Sequence, residues 1–266
     1  MQLSHSPKSE QAKAQGYAES LLERLMKNLP KWCSRMLTVQ YRMNHVLNKW
    51  PSESFYEGKL KPDLGVAYRT LIDFQRPESK VTKKDIPVLK LLDTSQLSAT
   101  EKKLNTSLLN STEAAIAIRE IGKLFENYRL RQCDIGIITP YLDQNRLIKR
   151  ALEDYNWTEI EVATVDGFQG REKEVIILSL VRNNKNKSVG FLKEYKRLNV
   201  AVTRAKRALI IICDTKTIGT DPVLKSMLET CHAFKQVMVV ENSKKLRKLR
   251  EDIDWILKTE FEKKQD

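Results

Sequence analysis

The chain has 266 residues, of which 41% are hydrophobic and 30% are charged, and it contains only 9 Gly and 8 Pro. This composition excludes a collagen-like or fully disordered chain and is sufficient for a buried core. The formal net charge of +13 favours a polyanionic partner, such as nucleic acid, a nucleotide or an anionic membrane surface.

The cysteines and the apolar segments exclude two further classes of protein. The four cysteines lie far apart without a Cys-x-x-Cys pair, so we expect no metal site and no disulfide framework. The longest apolar stretches, such as Val175 to Val181, are far shorter than the roughly 20 residues that cross a bilayer. The N-terminus has no apolar leader region. The sequence therefore predicts an intracellular protein of the cytoplasm or nucleus, with no membrane partner.

The first predicted element is an amphipathic helix over residues 17–29. Its apolar residues recur at helical spacing and stop before Pro30: Leu21, Leu22, Leu25, Met26 and Leu29. Residues 57–86 instead mix glycine and proline with many charges, which indicates surface loops or a small irregular insertion. The pattern then changes at residue 87.

From residue 87 onward, short apolar strands alternate with amphipathic helices. The predicted strands cover residues 87–92, 135–139, 160–165, 174–181, 208–213 and 236–240. The predicted helices begin near Asn110, follow Pro140, cover residues 194–206 and cover residues 243–262; Asn110 with Glu113 predicts a capping box. Because the strands are continuous runs of Val, Ile and Leu, we predict a mostly parallel α/β sheet flanked by helices.

Polar residues follow several of these predicted strands. They form three groups: Thr139-Pro140-Tyr141, Asp166 to Gly170, and Arg182-Asn183-Asn184. In open parallel sheets, ligands bind outside the carboxyl ends of the strands. We therefore expect the three groups to lie at that edge of the sheet, near a ligand.

Two segments contain residues suited to binding a nucleotide. In Gln40 to Met43, an aromatic ring that can stack on a base adjoins a guanidinium that can grip a phosphate. In Val165 to Glu172, two glycines permit close backbone approach, and Gln169 and Glu172 could hydrogen-bond a ribose or order a water. Taken alone, the first segment is better explained as a surface arginine beside a partly buried tyrosine, and the second as an ordinary glycine turn.

A third segment, Arg197 to Arg207, could supply a catalytic arginine. On a helical projection its buried stripe consists of Leu198, Ala201, Val202 and Ala205. Arg204 lies at one margin of that stripe with Arg197 on the same side, whereas Lys206 and Arg207 point elsewhere. An arginine at such a margin can project into a cleft as an arginine finger. A solvated basic helix is the ordinary alternative.

Together, these segments resemble the C-terminal motifs of superfamily 1 helicases of the Upf1-like group. Gln40 to Met43 resembles motif IV, Thr164 to Glu172 motif V, and Asn199 to Lys206 motif VI. The similarity covers about residues 1–215 and points to the branch of immunoglobulin mu-binding protein 2 and the DNA polymerase alpha-associated helicases. Met1-Gln2-Leu3 resembles the end of motif III, although other residues replace the prolines that usually follow.

The resemblance implies a RecA-like fold of the P-loop NTPase type that lacks its own P-loop. It divides the chain into an N-terminal helical segment with the end of motif III and motif IV (1–56), a loop insertion (57–86), a RecA-like core with motifs V and VI (87–215), and a C-terminal strand and amphipathic helix (216–266). It also implies the C-terminal half of an ATP-dependent helicase that moves 5′ to 3′ on single-stranded RNA or DNA.

The resemblance further implies roles for individual residues. Tyr41 would stack on adenine. The residues implied to reach the γ-phosphate are Arg42, Arg204 and Gln2. Those implied to contact the phosphates or sugar are Gln169, Gly170 and Glu172. Those implied to contact nucleic acid are Thr139, Tyr141 and Thr164.

The sequence contains no Gly-x-x-x-x-Gly-Lys-Ser/Thr phosphate loop and no Asp-Glu pair at the end of an apolar strand. We therefore expect ATP with Mg²⁺ to bind only together with a complementary N-terminal RecA-like domain, in cis or in trans, and the chain alone to be inactive. Two alternatives are a non-catalytic nucleic-acid-binding or interaction module derived from a helicase, and a truncated gene product.

Overall fold

The computed structural model describes residues 9–17, 19–104 and 106–262. In chain order the strands are β1 (Val39–Gln40), β2 (Lys61–Pro62), β3 (Leu89–Asp93), β4 (Lys102–Leu104), β5 (Ser107–Leu109), β6 (Ile135–Ile138), β7 (Glu161–Ala163), β8 (Lys173–Ser179), β9 (Ala205–Cys213) and β10 (Val237–Val239). The helices are α1 (Glu10–Ala14), α2 (Leu21–Asn28), α3 (His45–Phe55), α4 (Leu64–Ala67), α5 (Ser111–Asn127), α6 (Leu142–Glu153), α7 (Tyr195–Val202), α8 (Thr215–Ile218), α9 (Pro222–Ala233) and α10 (Lys244–Ile256), and a π-helical segment, Leu257–Glu262, continues α10.

Six strands form a central sheet in the order β10-β3-β9-β8-β6-β7, and every neighbouring pair is parallel. The predicted α/β class, with a mostly parallel sheet flanked by helices, is confirmed. β6 and most of β8 are continuous apolar runs that are buried on both faces, which is why they do not alternate with polar residues. Two small strand pairs lie outside this sheet: β1 with β2, and β4 with β5.

Each face of the sheet packs against its own layer of helices. On one face, α5, α6 and α10 bury side chains that include Ile116, Leu147 and Leu246. On the other face, α3, α7 and α9 bury side chains that include Leu47 and Leu198. Burial of one such side chain contributes roughly 1.5–3 kcal/mol to the stability of the fold. Because many side chains are buried on both faces, the two helical layers hold the sheet and its strand ends in place.

The predicted first helix forms, but over residues 21–28 rather than 17–29. A capping box starts it: Ser20 Oγ accepts from Glu23 N (3.2 Å), and Glu23 Oε2 accepts from Ser20 N (3.1 Å). None of the eight residues of α2 is buried, and its apolar side chains are exposed to solvent. The helix therefore presents an amphipathic face that the described part of the chain does not cover.

The segment predicted as one helix over residues 194–206 contains a helix followed by a strand. α7 ends at Val202, and β9 starts at Ala205, three residues earlier than predicted. Ala205 pairs with Lys173 at the start of β8, so hydrogen bonding between strands replaces the helix there. The prediction of helix beyond Val202 is therefore wrong, and the helical projection does not apply to Arg204.

Other elements differ from the sequence pattern in smaller ways. The capping box predicted for α5 is half formed: Asn110 Oδ1 accepts from Glu113 N (3.1 Å), but the Glu113 carboxylate binds elsewhere. The pattern missed α3, whose interior contains Pro51, and it also missed the β4–β5 hairpin and α9. β10 pairs with β3 and forms one edge of the central sheet.

No helix in residues 9–17, 19–104 or 106–262 combines the length and the apolarity needed to cross a bilayer. The same ranges contain no group of three His, Cys, Asp or Glu side chains placed to hold a metal ion. All four cysteines are free thiols.

Candidate functional site

The predicted site residues divide between the two edges of the central sheet. Arg42, Glu172 and Arg204 gather at the amino edge, where β8 and β9 begin. Thr139 and Tyr141 follow β6 at the carboxyl edge. The expectation that all three polar groups lie at the carboxyl edge holds only for the start of the glycine-containing group: Asp166 pairs with Arg197 near the start of α7, whereas the chain after Gly170 reaches the amino edge. The chain must return from the carboxyl end of β7 to the amino end of the parallel strand β8, so the end of this group is carried to the amino edge.

Neutral acceptors hold the Arg204 guanidinium at the amino edge. Its Nε donates to Val200 O (2.9 Å), its Nη2 donates to Thr203 Oγ1 (2.9 Å), and its Nη1 donates to Arg171 O (3.5 Å). Val200 and Thr203 belong to the end of α7, so the helix terminus positions the side chain. Because these acceptors carry no charge, they orient the positive charge of Arg204 without neutralising it.

Arg42 reaches the same place from a distant part of the chain. Its Nη1 donates to Thr203 O (3.1 Å), and its Nε donates to Glu172 Oε2 (2.5 Å). Gln40 fixes the turn before it, since Gln40 Oε1 accepts from Arg42 N (2.8 Å). Both guanidinium groups therefore contact Thr203, so the structure brings Arg42 and Arg204 together.

Positive charge exceeds negative charge around these two groups. Burial, followed by the charge of Arg42, lowers the pKa of Arg204 to about 10, so Arg204 stays protonated at neutral pH. Burial raises the pKa of Glu172, but Arg42 and Lys206 outweigh it and hold that pKa below its ordinary value. Lys206 is shared between Glu172 (3.5 Å) and Glu174 (3.2 Å). A ligand with several negative charges would complete this cluster.

The other predicted nucleotide contacts are exposed next to the cluster in the chain. The Tyr41 side chain, adjacent to Arg42, is 70% exposed, so its ring is open to a partner. Gln169 is also exposed. Gly170 has a φ of +81° and open space where a Cβ would stand, which permits close backbone approach by a ligand.

Two residues that the sequence reasoning did not select belong to the cluster. Thr203 supplies acceptors to both arginines, and Lys206 lies beside Glu172. The prediction that Lys206 points away from the site is wrong, because Lys206 lies on a strand, where side chains alternate between two faces. Residues 205–208 are Ala-Lys-Arg-Ala and do not alternate, so no local signal indicated that the strand begins at Ala205.

At the carboxyl edge, the predicted nucleic-acid contacts are more deeply placed. Thr139 is fully buried, and its Oγ1 accepts from Tyr141 N (3.4 Å). The Tyr141 ring is also buried, and its hydroxyl accepts from Arg182 Nη1 (3.4 Å). Thr164 is half-buried, with Oγ1 accepting from Gly167 N (3.4 Å). Thr139 therefore has no surface for direct contact in this structure, whereas Thr164 has some.

A strained turn at the carboxyl end of β8 escaped the sequence reasoning. Val181 has a φ of +70°, which is a genuine outlier for a β-branched residue. Glu113 holds it, because Oε2 accepts from Val181 N (2.9 Å) and Ser179 Oγ (2.7 Å). Burial raises the pKa of Glu113 to about 8, against the opposing effect of these hydrogen bonds. The turn delivers Arg182 to an ion pair with Glu101 (3.0 Å).

Gln2, the third residue predicted at the γ-phosphate, lies outside the described residues.

Comparison with known proteins gives concordant matches. A family model described as "AAA domain" matches residues 17–216. DNA polymerase alpha-associated DNA helicase A of Saccharomyces cerevisiae is 41% identical over 224 residues, which cover 80% of this chain and 32% of the relative. DNA-binding protein SMUBP-2 of Mesocricetus auratus is 38% identical over 223 residues, 83% of this chain and 22% of the relative. A regulator of nonsense transcripts 1 homolog of Neurospora crassa is 39% identical over 212 residues, which cover 76% of this chain and 18% of the relative. The chain thus matches a third or less of the length of each relative.

Proposed function

Because the chain belongs to the AAA-domain family, in the Upf1-like branch of superfamily 1 helicases, we propose that it is the C-terminal RecA-like half of an ATP-dependent helicase. The observation that carries the proposal is the convergence of Arg42 and Arg204 on Thr203, with the single carboxylate of Glu172 beside them. Two oriented cations with insufficient negative charge are suited to the phosphates of a nucleotide.

In this proposal ATP lies against the amino edge of the sheet. The exposed ring of Tyr41 stacks on adenine. A phosphate oxygen replaces the Glu172 carboxylate as the partner of Arg42, and Arg204 acts as an arginine finger that stabilises the charge developing on the γ-phosphate. The neutral acceptors that already orient Arg204 reduce the reorganisation needed in the transition state.

The remaining nucleotide contacts come partly from this chain and partly from a second domain. Gln169, Gly170 and the released Glu172 face the sugar or phosphates, and Gln2 senses the γ-phosphate. ATP would bind with Mg²⁺, and its γ-phosphoryl group would pass to water with ADP as the leaving group; a complementary N-terminal RecA-like domain, in cis or in trans, would supply the phosphate loop. Two facts support a second domain: the relatives are at least three times longer than the matched region, and the apolar face of α2 is exposed.

Nucleic acid is proposed to cross the carboxyl edge as a single strand of RNA or DNA, moved 5′ to 3′. Thr164 contacts the phosphate backbone, while the buried Thr139 and Tyr141 shape the turn beneath it. Arg182 at the same edge is buried and paired with Glu101, so it holds the turn in place rather than supplying free positive charge. Such contacts position a strand without reading its bases, as a translocating motor requires. We place the protein in the cytoplasm or nucleus, where these substrates occur.

Reconstituted ATP hydrolysis tests the proposal. The chain alone is expected to hydrolyse ATP negligibly, and addition of an N-terminal RecA-like half from a relative should restore turnover that depends on single-stranded nucleic acid. Arg204→Ala should then lower kcat by roughly 10³- to 10⁵-fold. Arg131→Ala is the matched control, because Arg131 is exposed and pairs only locally, with Asp134. Turnover that is equal in the Arg204→Ala and Arg131→Ala variants would refute the role of Arg204.

A binding assay with labelled single-stranded nucleic acid distinguishes a helicase motor from a non-catalytic binding module. Affinity should fall steeply as salt is raised, because counterions are released from the phosphates. Binding that persists in the reconstituted mixture without any hydrolysis would favour the module instead. A dissociation constant that is independent of salt would contradict the proposed phosphate contacts.

A further inference from the structure

A recess of about 290 Å³ lies on the helical layer formed by α5, α6 and α10, on the opposite face of the sheet from the layer that contains α7. Its floor is apolar and includes Ile118, Ala151 and Ile253. Aromatic and acidic side chains complete the lining: Tyr155, Trp255, Asp154 and Asp252. The proposed ATP and nucleic-acid contacts do not involve this recess. We propose that it binds the side chain of a lysine presented by a basic segment of a protein partner.

The two rings are placed to receive a cation rather than to fill the core. Trp255 is 60% exposed and Tyr155 is 39% exposed, although both are large apolar groups. Tyr155 is held in place because it stacks on Trp157, with ring centroids 4.8 Å apart and an interplanar angle of 25°. A fixed aromatic face attracts an ammonium group through its quadrupole, most strongly when the ring is that of tryptophan.

The charges at the recess have the sign opposite to that of the molecule as a whole. The chain has a formal net charge of +13, yet the recess carries Asp154 and Asp252. Asp154 lies at the C-terminus of α6, where the charge of Arg150 already balances its carboxylate.

The pairing of the carboxylates leaves Asp252 available to a cation. Asp154 already pairs with Arg150, whose side chain also approaches Glu153. Asp252 forms no ion pair with another residue in the described ranges and lies close enough to Tyr155 for its charge to raise the pKa of that phenol, after burial, the larger cause. The free carboxylate of Asp252 and the two aromatic rings match the single positive charge of an ammonium group. The apolar floor suits the four methylene groups of a lysine stem.

The acidic lining also decides between classes of macromolecule. Phosphates of a nucleic acid or of a membrane surface would be repelled by Asp154 and Asp252. The positive charge of the rest of the surface repels a basic peptide, so the peptide can contact this protein only at the recess. A protein partner with an exposed lysine is therefore the occupant that the chemistry selects.

The test is a titration of the 266-residue chain, followed by the tryptophan indole N–H signals in a two-dimensional ¹H–¹⁵N spectrum. The probe is a short glycine–serine peptide that contains several lysines, and its fully acetylated form is the control peptide. The indole signal of Trp255, assigned with a Trp255→Phe variant, should shift in a saturable manner with the lysine peptide. It should not shift with the acetylated peptide, which keeps the stem and loses the charge. The indole of Trp32, which is exposed but outside the recess, should stay in place.

Matched variants locate the contact. Asp252→Asn should weaken binding about two- to fivefold, as expected for one exposed ion pair, and Tyr155→Ala, which keeps the Trp255 indole signal, should weaken it by a similar factor. Glu251→Gln is the control, because Glu251 is an exposed acid of the same helix that does not line the recess. The proposal is overturned if the Trp255 indole does not shift, if the acetylated peptide shifts it equally, or if Asp252→Asn and Glu251→Gln have the same effect.

Discussion

Replacing Glu113 with glutamine should change how the stability of the protein depends on pH. Glu113 is fully buried at the carboxyl edge, and its carboxylate accepts from Val181 N and Ser179 Oγ. Glutamine keeps the length and one acceptor oxygen, and its amide takes the position of Oε1, which has no hydrogen-bond partner. Because the variant cannot ionise, it imitates the protonated form of Glu113.

The sign and the size of the effect follow from the pKa of Glu113. Burial raises that pKa from 4.5 to about 8, so the folded state binds a proton that the unfolded state has already lost at intermediate pH. The stabilising contribution of this proton is complete below pH 4.5 and is lost as the pH rises through 8. One pKa unit corresponds to about 1.4 kcal/mol, so the loss is at most about 5 kcal/mol.

Urea denaturation at pH 5, 6.5 and 8 measures this loss. The free energy of unfolding of the wild-type chain should fall across that range, while the Glu113→Gln variant should show a smaller slope and a relative gain at pH 8. Glu120→Gln is the matched control on the same helix. Burial raises the pKa of Glu120, but Lys90 and Lys123 outweigh it and hold the pKa below its ordinary value, so Glu120 is ionised throughout the range. Equal slopes in the wild-type chain and Glu113→Gln would refute the reasoning.

Three further substitutions have expected outcomes. Gly136→Ala would place a Cβ 2.5 Å from Phe168 Cζ, so overpacking should lower the free energy of unfolding by about 1–3 kcal/mol in urea titrations. Gly190→Ala would place a Cβ 1.9 Å from Arg182 Nη1 and should displace that side chain, which a loss of single-strand affinity in fluorescence anisotropy would report. Asn44→Ala removes the N-cap of α3 and should lower the thermal midpoint, at a cost of about 1 kcal/mol.

Controls and contrary outcomes differ among these three. Gly58→Ala is the partner of Gly190→Ala, because Gly58 also has a positive φ, +68°, but open space around a Cβ. An equal loss of affinity in both variants would attribute the effect to backbone strain instead of Arg182. A Gly136→Ala variant of unchanged stability would show that Phe168 moves aside freely. An unchanged thermal midpoint for Asn44→Ala would show that the Asn44 cap does not stabilise α3.

The strands of the central sheet could be predicted because runs such as Ile135 to Ile138 are apolar on both faces and end in polar turns. The start of β9 could not be predicted from the sequence. Residues 203–208 contain small and basic side chains that are compatible with a helix, and pairing of Ala205 with Lys173 decides the matter. That pairing joins segments remote in sequence, so local preference carries no information about it.

The candidate site was only partly predictable for the same reason. Motif-like segments identified Arg42 and Arg204, but their meeting at Thr203 depends on β8 and β9 being neighbours in the sheet. Local spacing assigned Glu113 to a helix cap, whereas its carboxylate is used by Val181, in the turn that follows a strand. Long-range partners of this kind become visible only once the order of the strands is known.

The position of β3 has a consequence for biosynthesis. Its neighbours in the sheet, β9 and β10, are both translated much later, since Leu91 pairs with Ile211 and with Val237. At a ribosomal rate of roughly 5–20 residues per second, the intervening stretch of about 110 residues leaves β3 unpaired on both sides for roughly 6 to 20 s. A nascent chain in this state exposes two open strand edges, so yield in a cell should depend on chaperone capacity and fall when growth temperature rises.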